Sequence, residues 1–222
     1  MTRIVVLISG RGSNMRAIIE ACQNGRLDAE VVAVISNNPD AAGLTFAREQ
    51  NIKTAVLDHK SFSVRNDFDE QLQALISSFR PDLVAMAGFM RILSKALVNH
   101  FLGRMINIHP SLLPLYTGLN THARVLAAGD TRHGASVHFV TAELDAGPVI
   151  AQSEVPVLQN DTEQSLAARV LDTEHELYIQ ALQHCLSGNA RLVNAECYRG
   201  TINSNIDTGT SSAERAQNGQ QR

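Results

Sequence analysis

Through roughly its first hundred residues the chain alternates short β-branched apolar runs with stretches whose apolar positions recur every three or four residues. That alternation predicts βαβ units on a parallel sheet buried on both faces. Residues 3–9 (RIVVLIS) predict the first strand, and 13–24, with Met15, Ile18, Ile19 and Cys22 on one face, the first helix. A second strand is expected at 30–36, then the loop SNNPDAAG and a helix over 44–50. A short strand at 54–57 and a helix over 65–79 follow, and Pro81 punctuates the start of a fourth strand, DLVAMAG. RMINIHP, residues 104–110, predicts a fifth strand that stops at Pro110.

Residues 111–134 break the rhythm with Pro, Thr and Gly and only a weak helical stretch over 123–128, the pattern of a lid or binding loop. Strands at 135–142 and 148–157 flank the turn ELDAG, and a long helix over 162–186 begins at Asp161-Thr162-Glu163-Gln164, a capping signal. The expected fold is α/β, a Rossmann-like, mostly parallel twisted sheet of about seven strands with helices on both faces. Residues 1–200 are expected to form a single domain and 201–222, almost without apolar residues, a disordered tail.

Composition narrows this picture. A chain of 222 residues, 44% hydrophobic and 18% charged, suits one well-filled α/β domain and excludes wholesale disorder. A formal charge of -3 argues against sequence-independent binding to nucleic acid, while leaving room for a small basic pocket. Cys22, Cys185 and Cys197 form an odd, widely spaced set with no CxxC pair, so neither a zinc ribbon nor a disulfide framework is expected. The run Ile4–Ile8 is too short for a membrane span or a signal segment, and a cytoplasmic protein is expected.

Three places carry candidate chemistry. The segment Ser9-Gly10-Arg11-Gly12-Ser13-Asn14 joins the first strand to the first helix, where backbone amides can cradle an anion. It is not a dinucleotide fingerprint, since Met15 stands where a third glycine would fall and no carboxylate ends the second strand. A tight turn with Ser13 as a helix cap fits equally well. Asn107 and His109 share one face at the carboxyl end of the fifth strand, where open α/β sheets seat ligands. An amide and an imidazole there can donate to a carbonyl oxygen that becomes an oxyanion. An ordinary strand-end pair satisfied by backbone is the alternative. Asp145, in the turn Glu143–Pro148, reads by itself as a turn residue. It gains a role only beside His109, where a carboxylate would orient the ring and favour the imidazolium. No His or Cys spacing suggests a metal.

The segments ISGRGSN (8–14), AGFMRIL (87–93), INIHPSLLP (106–114), HGASVHFV (133–140) and LDAGPVI (144–150) occur in consistent order over about residues 1–190. Together they resemble the folate-dependent formyltransferase superfamily and, through ISGRGSN, its phosphoribosylglycinamide formyltransferase branch in purine synthesis. The resemblance implies Asn107, His109 and Asp145 as catalytic residues, and Gly12, Ser13 and Asn14 as the loop holding the substrate phosphate. It implies Arg65 and Glu174 as further contacts to glycinamide ribonucleotide. Phe89, Met90, Arg91, Leu93 and Val140 would build the pocket for 10-formyltetrahydrofolate, with core packing as an additional role for Phe89, Met90 and Val140. Arg91 calls for an anionic partner or solvent, and the folate glutamate tail is a candidate.

The implied activity is direct formyl transfer between two small molecules, without metal, by a monomer or homodimer. Formyltetrahydrofolate deformylase, methionyl-tRNA formyltransferase and a non-catalytic nucleotide-binding module are the competing readings. The chain departs from the family pattern at Leu115, Thr117 and Asn120, where relatives usually read Lys, Pro and His. Those changes fall in the expected lid. His122 and His138 are expected near the site in supporting roles.

Overall fold

The computed structural model describes residues 1–193 and 196–199; the expected disordered tail lies outside the described residues. Seven strands form one sheet in the order β3-β2-β1-β4-β5-β6-β7. These are β1 (Thr2–Ile8), β2 (Ala29–Ser36), β3 (Thr54–Val56), β4 (Leu83–Met86), β5 (Met105–His109), β6 (Arg132–Phe139) and β7 (Val149–Pro156). β1 to β5 pair in parallel, and β5, β6 and β7 pair antiparallel. A hairpin of β8 (Ala190–Val193) and β9 (Glu196–Arg199) follows, in a region where no strand was expected.

Alternation along the strands assigns the helices to faces. In β1, Ile4, Val6 and Ile8 point into one core with α1 (Ser13–Gln23), α2 (Gly43–Glu49), α5 (Thr121–Ala128) and α6 (Glu163–Leu186). Val5 and Leu7 point into the other, under α3 (Arg65–Ser78) and α4 (Lys95–His100). Residues of β1 buried on both faces explain the unbroken apolar run there. In α6, Thr162 accepts from Ser165 N while Ser165 Oγ accepts from Thr162 N, a capping box built on serine rather than the expected acidic or amide residue.

Three departures have physical causes. α4 was not anticipated, yet Ser94 caps it through Leu97 N and its Leu97 and Val98 are buried. β6 starts at Arg132, three residues before the expected position, because Gly134 is a strand residue and not a break. A Cβ at Gly134 would lie 1.9 Å from Ser153 O, so glycine here permits close approach to β7. β6 also ends at Phe139, before the expected boundary, where the chain leaves the β7 ladder.

The order 2-1-4 makes β1 the point at which successive connections run to opposite sides, and the crevice lies at the carboxyl ends of β1 and β4. Among the described residues no helix is long and apolar enough to cross a membrane.

Candidate active site

In β5, Met105 joins the core under α3 and α4, and strand alternation gives Asn107 and His109 the same face. Both line a cavity of about 800 Å³, the size range of small-molecule sites. Phe89, Leu93, Val98 and Val140 supply apolar wall, and the exposed side chains of Met90, Ile92, Leu119 and Leu144 form its rim. Polar groups concentrate at the end formed by Asn107, His109, His138 and Asp145.

The β6–β7 connection folds back so that Asp145 meets His109, with Oδ2 3.5 Å from Nδ1 and both side chains 8% exposed. Asp145 holds φ +51°, a left-handed conformation that Asp and Asn tolerate better than most residues. Its Oδ2 also accepts from Gly118 N at 2.9 Å. On the other side of the ring, His109 Nε2 lies 2.9 Å from Tyr116 O. Nε2 therefore has a carbonyl to donate to, and Nδ1 faces a carboxylate.

His138 pairs with Asn107 across the β5–β6 ladder. Its Nδ1 donates to Phe139 O at 3.0 Å, which leaves Nε2 to accept from Asn107 Nδ2 at 3.3 Å. Burial pushes the His138 ring below its ordinary value, against smaller opposing effects of Phe139 O and Asp145, and so favours that neutral form. Nearby, His122 and His133 face each other at 3.0 Å. Burial lowers both, His133 to about 4, with the neighbouring histidines adding to its shift.

The Ser9–Asn14 loop lies beside this cavity. Gly12 is the N-terminal flanking residue of α1 at φ +72° and no side chain caps the helix, so Ser13 is the first helical residue and not the cap. The first amides of α1 are free to meet an anion. Asn14 is buried and donates through Nδ2 to Glu174 Oε2 at 2.7 Å. Burial raises the Glu174 carboxyl, and Asn14, His175 and His109 pull it partly back.

The fold therefore brings Asn107, His109 and Asp145 together, and joins Glu174 to the Gly12–Asn14 loop. Arg65 is not part of that loop cluster. It lines the main cavity with Phe89, Met90, Arg91, Leu93 and Val140, and donates to Ile92 O. Its position at the start of α3, on the face opposite α1 and α6, is the physical reason. Arg91 lies over the Phe68 ring at 5.7 Å, and its buried Nε has no hydrogen-bond partner among the described residues.

Ser9, just past β1, belongs to the candidate anion segment, but its bonds to the chain after β4 were not foreseen; Asn37, just past β2, was given no site role from sequence. Burial raises the Cys22 thiol to about 11, so this cysteine is protonated at neutral pH. Among the described residues no group of three or more His, Cys, Asp or Glu could hold a metal ion. Chemically, the polar end offers amide and imidazole donors to one oxygen, with a carboxylate behind the imidazole, a set suited to an anionic tetrahedral intermediate.

A family model described as formyl transferase matches residues 2–182. The chain is 50% identical over 189 residues to phosphoribosylglycinamide formyltransferase of Escherichia coli (strain K12), covering 85% of this chain and 89% of that protein. It is 43% identical over 190 residues to the trifunctional purine biosynthetic protein adenosine-3 of Homo sapiens, covering 86% of this chain and 19% of that one. Among solved structures, phosphoribosylglycinamide formyltransferase from Coxiella burnetii superposes with a TM-score of 0.85 at 50% identity, covering 89% and 93% of the two chains. Glycinamide ribonucleotide transformylase 1 from Symbiobacterium toebii gives 0.87 at 39% identity, covering 90% and 94%.

Proposed function

Because the chain belongs to the formyl transferase family, we propose that its cavity carries out phosphoribosylglycinamide formyl transfer in purine biosynthesis, with 10-formyltetrahydrofolate as the donor. The observation that carries the reading is the convergence of Asn107, His109 and Asp145 at the polar end of an otherwise apolar cavity, beside an uncapped helix N-terminus. The apolar wall suits the flat aromatic body of a folate, and Arg65 and Arg91 suit the carboxylates of its glutamate tail. The amides opening α1 suit the phosphate monoester, and the Glu174 carboxylate suits the hydroxyl or amine donors of the ribonucleotide.

In this scheme the ribonucleotide amine attacks the formyl carbon, and the carbonyl electrons move to oxygen. Asn107 and His109 donate to that oxyanion, for which His109 must turn an N–H from Tyr116 O. Asp145 orients the ring through Nδ1. The proton lost by the attacking nitrogen ends on the departing N10, relayed by His109 and Asp145. The carbon–N10 bond then breaks to give the formylated ribonucleotide and tetrahydrofolate, with no metal required. The same reading takes the enzyme as cytoplasmic, acting as a monomer or homodimer.

The test is tetrahydrofolate release on mixing protein, glycinamide ribonucleotide and 10-formyltetrahydrofolate. Wild-type protein should release tetrahydrofolate only with the ribonucleotide present, and Asn107→Ala and His109→Ala should each lower kcat by about 10²–10³-fold. Release independent of the ribonucleotide would indicate hydrolysis, and near-wild-type rates in both variants would refute the assignment of these residues.

A further inference from the structure

Direct transfer requires two ligands bound at once, and their loops meet at Ser9. This residue follows β1 at the crevice, and all of its polar groups are engaged on neighbouring loops. Its N–H donates to Gly88 O at 3.1 Å, and its hydroxyl oxygen accepts from Met90 N at 2.7 Å. Both bonds tie it to the turn after β4 that lines the cavity. Its hydroxyl proton goes to Asn37 Oδ1 at 2.5 Å, and its carbonyl accepts from Asn38 Nδ2 at 3.3 Å. Both of those partners follow β2. Asn37 is buried, and because its Oδ1 can only accept, the Ser9 hydroxyl is the donor of that bond.

From Ser9 the chain runs straight into the Gly10–Asn14 turn. That turn is itself braced by Gly43 N, which donates to Gly10 O at 3.1 Å. A shift of the turn that meets the phosphate must therefore move Ser9, and a shift of Ser9 must break or drag the Met90 amide. We infer that Ser9 is a positioning residue that couples the phosphate turn to the Gly88–Arg91 turn, so that binding of the phosphoribosyl substrate strengthens binding of the folate and the reverse. The inference rests on the function proposed above. Its thermodynamic signature is reciprocal: each ligand raises the affinity of the other by one common factor, typically about 5- to 150-fold.

The experiment measures tetrahydrofolate dissociation constants by calorimetry, with and without saturating glycinamide ribonucleotide, for wild type, Ser9→Ala and Ser9→Thr. Melting temperatures are recorded in parallel. The expected result is tighter folate binding in the wild type when the ribonucleotide is present. In Ser9→Ala the coupling factor should fall to within about twofold of unity, while each ligand alone binds within about threefold of wild type. Ser9→Thr, which keeps the hydroxyl, should recover most of the coupling. Undiminished coupling in a natively melting Ser9→Ala protein would overturn the inference. So would a wild-type coupling factor of one, or a collapse of both single-ligand affinities in Ser9→Ala, which would mark a structural role. Failure of the wild type to bind glycinamide ribonucleotide at all would instead refute the proposed function.

Discussion

Replacing Asp145 by Asn isolates the electrostatic part of the site. Asn tolerates the left-handed backbone that Asp145 holds at φ +51°, and its side-chain oxygen can still accept from Gly118 N, as Asp145 Oδ2 does at 2.9 Å. What disappears is a negative charge 3.5 Å from His109 Nδ1, between side chains each 8% exposed. At an effective dielectric of about 20 this charge attracts an imidazolium with about 5 kcal/mol. That figure is an upper bound on the loss, because the Asn dipole and neighbouring groups readjust. Half of it in the transition state corresponds to about 10²-fold, and most of it to about 10³-fold. Initial rates of tetrahydrofolate release at saturating substrates should show kcat lowered by about 10²–10³-fold with both KM values little changed. A natively folded Asp145→Asn enzyme with kcat within tenfold of wild type would refute the electrostatic role.

Three further outcomes are expected. In Gly43→Ala the new Cβ would sit 2.7 Å from Ile8 Cδ1 and 3.1 Å from Arg11 O. It should push the phosphate turn outward and raise KM for the ribonucleotide by about tenfold, equivalent to about 1.4 kcal/mol, whereas an unchanged KM would contradict the assigned loop. Burial raises the Glu174 carboxyl above 4.5. Its contribution to stability is therefore full below that value and is lost as pH rises through the raised one. Melting curves should accordingly show Glu174→Gln to be more stable than wild type at pH 8 and equal to it at pH 4, with weaker ribonucleotide binding as the accompanying loss. His133 is lowered from 6.5 to about 4, so wild-type stability should fall as pH drops through that window. Denaturant titrations should find a shallower fall in His133→Gln, and an identical pH profile would contradict the shift.

Local signals made most of the sheet legible. The runs RIVVLIS and EVVAVIS and the helical spacing of Met15, Ile18 and Ile19 announce elements whose side chains are buried on sheet faces or on one helix face. Strand order was not legible, because it depends on long-range pairing such as that of Ile4 with Leu83. The α4 helix escaped because it has only six residues and its cap, Ser94, lies inside a mixed apolar stretch. Gly134 misled for a different reason: a glycine that admits a neighbouring backbone looks the same in sequence as one that ends a strand.

At the site, Asn107 and His109 could be put on one face by alternation alone, but the approach of Asp145 is a tertiary fact set by a connection that folds back. Arg65 shows that a resemblance carries a residue's number without its place in the fold. Its number was legible, but its place in the wall of the main cavity, away from the Gly12–Asn14 loop, was not. Ser9 was legible only as the first residue of the anion-loop segment, since nothing in the sequence tells that its amide, carbonyl and hydroxyl make four hydrogen bonds to the chain after β2 and the chain after β4.

On the proposed function this cavity moves a formyl carbon directly from folate to a ribonucleotide amine. The most direct measurement follows an isotopic label in the formyl carbon of 10-formyltetrahydrofolate through one turnover with glycinamide ribonucleotide. All of the label should appear on the ribonucleotide nitrogen, in step with tetrahydrofolate release. Label recovered as free formate would contradict the account.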